Sequence, residues 1–284
     1  MSGSSTSRID DTGTGRIIDT GTDHLLARVE DGVAVLTFNR PGSRNALSPS
    51  MLPALRTLLP ELEMDRDVGC VVLTGAGTAF CAGGDVKGMG RSEGRASTPE
   101  ERITELGARQ AAVTGAIHEL AKPVIAALPG AAAGAGLSIA LSCDLRIAAE
   151  SAFITTAFVN IGLSGDYGGS WFLTQLVGPA KARELYFLAD RIGATDCQQL
   201  GVVNRVVPDA DLQTAALTWA KQIAAGPRVA HRYMKENLNR ALTADLRTCL
   251  TMEADRLART SMTEDHKEAV KAFVEKRKPM FKGR

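Results

Sequence analysis

The stretch LPGAAAGAGLSIALSCD, Leu128 to Asp144, decides how the rest of the chain is read. It closes an apolar run, Pro123 to Leu128, with the length and composition of a buried strand. It then passes through a turn of glycine and alanine into an apolar helix beginning near Gly136. Small side chains let another group come close to the backbone. The first turn of a helix carries N–H groups without partners and a partial positive charge. Such a place can hold an anion, or an oxyanion that develops during a reaction. It can equally be a close contact of helix on sheet, and this stretch alone does not separate the two readings.

A second stretch, TGAGTAFCAGGDV from Thr74 to Val86, has a similar build. The buried strand Gly69–Thr74 runs into a glycine loop, Gly75 to Gly90. Gly75-Ala76-Gly77 after a strand raises a dinucleotide-binding turn. The third glycine of that pattern would fall at Phe80, however, and Gly83-Gly84-Asp85 sits where its helix should run. No G-x-x-x-x-G-K-[ST] occurs, so a phosphate-cradling P-loop is excluded as well.

The 284 residues are 44% hydrophobic with a formal net charge of +1. That suffices for the core of a large α/β domain and gives no charge signature for nucleic acid or a membrane surface. Apolar runs such as Val68–Thr74 are strand-length, too short to span a bilayer. Residues 1–22 are rich in Ser, Thr, Gly and Asp and lack an apolar h-region. They read as a disordered leader without a secretory signal. Five scattered cysteines without metal-ligand spacing read as free thiols in a reducing, cytoplasmic setting.

Local signals order the rest. Asp31-Gly32 between Leu25–Glu30 and Val33–Asn39 predicts a two-residue hairpin. Ser48-Pro49 predicts the start of a helix running from about Ser50 to Met64. Thr98-Pro99-Glu100-Glu101 predicts another, to about Ala121, with Ile103, Leu106, Val113, Ile117 and Leu120 as its apolar stripe. Arg91 to Pro99 reads as a mobile loop. Short strands are expected at Leu145–Ala149, Ala152–Thr155 and Val202–Val207. Helices are expected at Trp171–Val177, Ala180–Ala189 and Thr195–Leu200, and from Asp209 onward the chain reads as almost entirely helical.

Four motifs, in order, now carry a family resemblance. FCAGGD (Phe80–Asp85) resembles the first oxyanion loop of the crotonase, or enoyl-CoA hydratase/isomerase, superfamily. KPVIAALPGAAAGAGLSIALSCDLRIAAESA (Lys122–Ala152) resembles its second. NRPGSRNALS near the start and AFVEKRKPMFKGR at the end are similar to that family too. The resemblance spans Leu25 to Arg284. It implies an α/β fold with a repeated ββα spiral core over 23–208 and a C-terminal helical oligomerisation region over 209–284. It also implies assembly as a homotrimer or a hexamer built as a dimer of trimers. The implied substrates are acyl-CoA thioesters; coenzyme A belongs to the substrate, and no separate cofactor or metal is expected.

The resemblance further implies that the N–H groups of Gly84 and Ala135 hold the thioester oxygen as it becomes an enolate. One such donor is typically worth ~3 kcal/mol of barrier. The family usually has glycine at the second position, and alanine keeps the donor provided its φ is negative. Departures follow. The two glutamates of the usual hydratase fall at Ser138 and Phe158, so both carboxylates are missing by this correspondence. A serine without a partnered base is a poor proton acceptor, and Ser138 also reads as a small packing residue. Asp166, in the glycine loop GLSGDYGGS (Gly162–Ser170), is the replacement candidate. An acidic residue there serves isomerase-like and dehalogenase-like members. The latter also need tryptophan where this chain has Phe158, which argues against dehalogenation. Asp166 can otherwise be a turn or capping residue. Tyr167 is placed to bond the aspartate or the acyl chain, or merely to fill the turn. One carboxylate favours a 1,3-proton shift over hydration.

For coenzyme A, the resemblance implies contacts around Arg44, Asn45, Ala46, Leu47, Ala82, Asp85 and Val86. Arg40, Arg44, Lys87 and the C-terminal run Lys271, Lys276, Arg277, Lys278, Lys282 and Arg284 are candidate phosphate partners. His118 and Glu119 read as helix-surface residues, Cys81 as buried filler and Asp144 as structural.

Overall fold

The computed structural model describes residues 8–9, 15–85 and 98–284. The predicted hairpin forms from β3 (Leu25–Glu30) and β4 (Val33–Phe38), with positive φ at Asp31 and Gly32. This is the two-residue turn whose twist matches that of the strands it joins. Ahead of it lie β1 (Arg8–Ile9) and β2 (Gly15–Ile18). β2 pairs antiparallel with β3 from Gly15↔Glu30 to Ile18↔Ala27. The leader expected through residue 22 is corrected by this pairing: ordered structure begins earlier, because Ile18 buries against the core.

Beyond the hairpin the main sheet becomes parallel. β5 (Cys70–Gly75), β7 (Val124–Leu128), β9 (Leu145–Ala149) and β12 (Arg205–Val207) follow β4 in that order. β5 and β7 are buried at every position, as expected of strands covered on both faces. A smaller sheet has the order β11-β10-β8-β6, from β6 (Ala79–Cys81), β8 (Ala131–Ala133), β10 (Phe153–Thr155) and β11 (Ile192–Gly193). Each turn of the chain gives one strand to the large sheet, one to the small sheet and then a helix: β5-β6, β7-β8 and β9-β10 are three such turns. This is the expected ββα spiral. The glycine-alanine turn after Leu128 contains the strand β8.

Helix Met51–Met64 starts where Ser48 Oγ accepts from Met51 N at 3.1 Å. Thr98 and Glu101 form a full capping box ahead of helix Pro99–Gln110. That helix does not run unbroken to Ala121. It passes through a π-helical turn, Ala111–Gly115, into Ala116–Glu119. Val113, Ile117 and Leu120 are buried, whereas Ile103 and Leu106 are exposed. The wider turn rotates the buried face, so the predicted stripe holds only in its second half. Helix Gly169–Leu188 is kinked at Gly178, where φ is 76°. The tail consists of helices Leu212–Ala224, Arg228–Ala241, Leu246–Ser261 and Glu264–Val274. Among the described residues, no helix is long and apolar enough to cross a membrane.

Candidate active site

Strands β6, β8 and β10 lie side by side and parallel. The chain leaves each at its C-terminal end, so three loops meet at one edge of the small sheet. The carboxyl ends of parallel strands are where α/β sheets place ligands.

The first loop follows Cys81. Leu47 N donates to Gly83 O at 2.8 Å and Ala82 N to Arg44 O at 3.0 Å, which lays residues 44–47 along it. Leu47 and Gly84 form an isolated parallel bridge. The Leu47 bond engages the Gly83 carbonyl, and the Gly84 N–H has no acceptor among the described residues. Gly83 has φ +88°, and a Cβ there would come within 2.8 Å of Ala133 O and 3.4 Å of Ala135 N. Only glycine lets the first two loops approach this closely.

The second loop places Gly134 at φ 52° and its N–H on Thr155 O at 3.1 Å. Ala135 then begins helix Ala135–Ser142, outside the positive-φ residues. Its N–H, at a helix start, has no partner within the helix. The alanine therefore meets the condition for keeping a backbone donor. Gly136 lets this helix touch β6, since a Cβ would lie 2.4 Å from Cys81 O. Cys81 is fully buried and its thiol is pushed up to about 12 by burial, as suits filler.

The third loop follows β10. Thr156 Oγ1 donates to Leu185 O at 2.8 Å and ties it to helix Gly169–Leu188. The Phe158 ring lies 3.8 Å from where a Gly134 Cβ would sit, beside the second donor. It stacks on Tyr186 with ring centres 6.1 Å apart. A Cβ on Gly169 would meet Ser138 Oγ at 2.2 Å and the Tyr186 hydroxyl at 2.8 Å, so these two groups flank the same glycine. Ser138 Oγ donates to Gly134 O at 3.3 Å, a backbone-packing role.

Asp166 stands in this loop, half-buried. Its Oδ1 accepts from Tyr167 N at 2.8 Å and from Gln110 Nε2 at 2.6 Å. Oδ2 has no partner among the described residues. Burial raises the carboxyl above its ordinary value, and the Tyr167 N–H opposes that rise. Tyr167 is buried at φ 52°, with its hydroxyl pushed up to about 12 by burial first and by Asp166 second. Tyr186 is likewise pushed up to about 12. Gln110 and Tyr186 were not legible as site residues in the sequence.

The structure thus gathers Gly84, Ala135, Ser138, Phe158, Asp166 and Tyr167 around the strand ends, with Ala46, Ala82 and Asp85 along the first loop. Asn45 is fully buried and structural: its Nδ2 donates to Ala76 O and Ala79 O, and its Oδ1 accepts from Arg40 N. Arg40 is engaged by Ala46 O and Asp85. Arg277 pairs with Glu268 and Glu275, and Arg284 with Glu264. Arg44 is exposed. Val86, Lys87 and residues 91–97 of the expected mobile loop lie outside the described residues. His118 is corrected from a surface residue: it is half-buried, edge-on to Trp171 and Phe172, and burial lowers its pKa. Asp144 is structural, accepting from Val124 N and pairing with buried Lys235 at 2.8 Å.

Comparison with known proteins bears on the family and the fold. A model of the enoyl-CoA hydratase/isomerase family matches residues 28–284. The short-chain-enoyl-CoA hydratase of Clostridium acetobutylicum is 37% identical over 90% of this chain and 96% of its own. The 1,2-epoxyphenylacetyl-CoA isomerase of Escherichia coli is 36% identical over 92% and 99%. A crystal structure of an enoyl-CoA hydratase from Polaromonas sp. JS666 superposes with a TM-score of 0.85 at 35% identity, covering 90% of this chain and 99% of that one.

Proposed function

The chain belongs to the enoyl-CoA hydratase/isomerase (crotonase) family of acyl-CoA enzymes, and from that premise we propose that it isomerises an enoyl-CoA with Asp166 as its single acid–base group. The carboxylate removes a proton from the α carbon of a 3-enoyl thioester. The electron pair moves through the double bond system onto the thioester oxygen, which Gly84 N–H and Ala135 N–H hold. The Asp166 carboxyl then returns the proton to the γ carbon, and the enolate collapses to the 2-enoyl thioester. One group suffices because the proton leaves one carbon and returns to another on the same face.

One observation carries this reading. Asp166 is half-buried with Oδ1 engaged and Oδ2 without a partner among the described residues, on the loop whose Phe158 ring lies against Gly134, the residue before the second donor. With Ser138 and Phe158 at the usual glutamate positions, the described residues offer no second carboxylate there to activate water. Homotrimeric or dimer-of-trimers assembly through the tail, and a cytoplasmic location, belong to the same reading.

Proton exchange in D₂O tests it, with 2-enoyl-CoA and 3-enoyl-CoA offered separately and products followed by mass and NMR. Double-bond migration without gain of water is expected. Net hydration of the 2-enoyl substrate would make the chain a hydratase with another second group. Binding without exchange would make it a non-catalytic acyl-CoA binder. Asp166→Asn should lower turnover by at least ~10²-fold, the scale of one acid–base group, with acyl-CoA affinity little changed. Turnover like that of the wild type would remove Asp166 from the mechanism.

A further inference from the structure

We propose that Gln110 is a positioning residue for Asp166: its side-chain amide holds Oδ1 and so presents Oδ2 to the substrate. The inference rests on Asp166 as the base and adds the group that aims it.

The contact is 2.6 Å long and joins residues 56 apart in the chain, from two different elements. Its direction is set by chemistry, since an ionised carboxylate only accepts and the amide nitrogen is the donor. Gln110 is the last residue of helix Pro99–Gln110, immediately before the π-helical turn. Its carbonyl accepts from Thr114 Oγ1 at 3.2 Å, across that turn, and Thr114 and Val113 are buried. The backbone that carries Gln110 is therefore anchored from the core side, although the helix before it is exposed. Insertions of this kind recur where a helix must aim a side chain. On the other side, Gly165 at φ 136°, Tyr167 at φ 52° and Gly168 at φ 69° fold the loop so that Tyr167 N–H turns back onto the same Oδ1. Two donors from two elements fix one oxygen and leave the other open.

The neutrality of glutamine matters. A lysine or arginine here would hold the carboxylate charged and weaken it as a base. An amide orients it without a full charge, and a donor on the ionised oxygen favours the charged form. Among the described residues, the titratable groups that face Asp166 are the Tyr167 and Tyr186 hydroxyls, both near 12 and so neutral over the working range. Arg109 and Arg56 act on Tyr167 from further off.

The test is kcat and KM against pH for the full chain carrying Gln110→Met or Gln110→Glu. Methionine keeps the length and removes the donor. It should lower kcat about tenfold, change KM by less than about twofold, and move the acid limb of kcat/KM to higher pH. Glutamate keeps the shape and adds a like charge, so it should move that limb further the same way. If Gln110→Met folds poorly, the glutamate variant carries the test. A loss of kcat with the acid limb unmoved would assign Gln110 to packing and overturn the proposal. So would an unchanged kcat in an enzyme that Asp166→Asn inactivates. Full activity of Asp166→Asn would instead overturn the reading of the base itself.

Discussion

A carboxylate that is raised by burial and yet must ionise to work sets function against stability at one residue. The fold favours protonated Asp166 more than the unfolded chain does. Stability contributed by this group is therefore present at low pH and lost as pH rises through the raised value. Near neutral pH the ionised form is a burden on the fold, so Asp166→Asn, which keeps an oxygen for Tyr167 N–H and Gln110, should melt no lower than the wild type. The difference should shrink as pH falls through the wild-type titration. Thermal melts of both proteins across pH check this, and a mutant that melts lower at neutral pH would contradict it. The acid limb of activity should also lie above the ordinary carboxylate range of about 4. Gly83 makes a second case. Alanine there meets both a positive φ and the Ala133 carbonyl. Gly83→Ala should cost about 1–2 kcal/mol in a denaturant midpoint from the φ alone, and lower turnover by more than that loss explains, because it spreads the two donor loops.

At the scale of elements, what could be read from the chain was what is local in it. The hairpin at Asp31-Gly32, the capping box at Thr98 and Glu101, and the break at Gly178-Pro179 each depend on residues within four positions. Of the small sheet only β10 was legible, as the strand expected at Ala152–Thr155. Its strands are pieces of two or three residues, and Ala131–Ala133 has neither alternation nor branched side chains to mark it. Parallel neighbours alone make it a strand. The candidate site divides in the same way. The glycine loops stood out by composition, and the family resemblance picked Gly84, Ala135 and Asp166 within them. Gln110 did not, because it lies on a helix that is exposed up to that point, and the π-helical turn breaks the period that would have shown its change of face. Asn45 shows what such long-range contacts hold. It ties the 40–47 segment to Ala76 and Ala79, on either side of the turn into β6. Asn45→Ala would leave those carbonyls without the donor and Arg40 N without an acceptor. It should lower stability by about 2–4 kcal/mol in urea unfolding. An effect below about 0.5 kcal/mol, the ordinary scale of a surface change, would mean the segment is held by its backbone bonds alone.

For the whole molecule, the tail is the part whose surface does not suit a free monomer. Leu246, Leu257, Phe273 and Val274 are each more than 70% exposed. Isolated apolar residues on a surface need no explanation, but several large ones on consecutive helices do. The tail is fastened at its root. Lys235 on helix Arg228–Ala241 reaches Asp144, Ile117 O and Lys122 O, and Asn239 donates to His118 O. Beside that root lies a concavity of about 530 Å³ lined by Trp171, Phe172, Met234 and Leu238. The helices beyond it turn their apolar side chains outward. Burying ~25 cal/mol per Å² of such surface favours association with copies of the same chain. The exposed surface sets no copy number; the family resemblance implies three, so the full chain should sediment as a trimer, or as two stacked trimers, at micromolar concentration. Leu257→Glu with Phe273→Glu should shift it toward smaller species, while circular dichroism and the melt of the core stay close to the wild type, since neither residue belongs to the buried cluster. A wild-type chain that remains monomeric at tens of micromolar would refute assembly through the tail. A double variant that keeps its assembly would place the interface elsewhere.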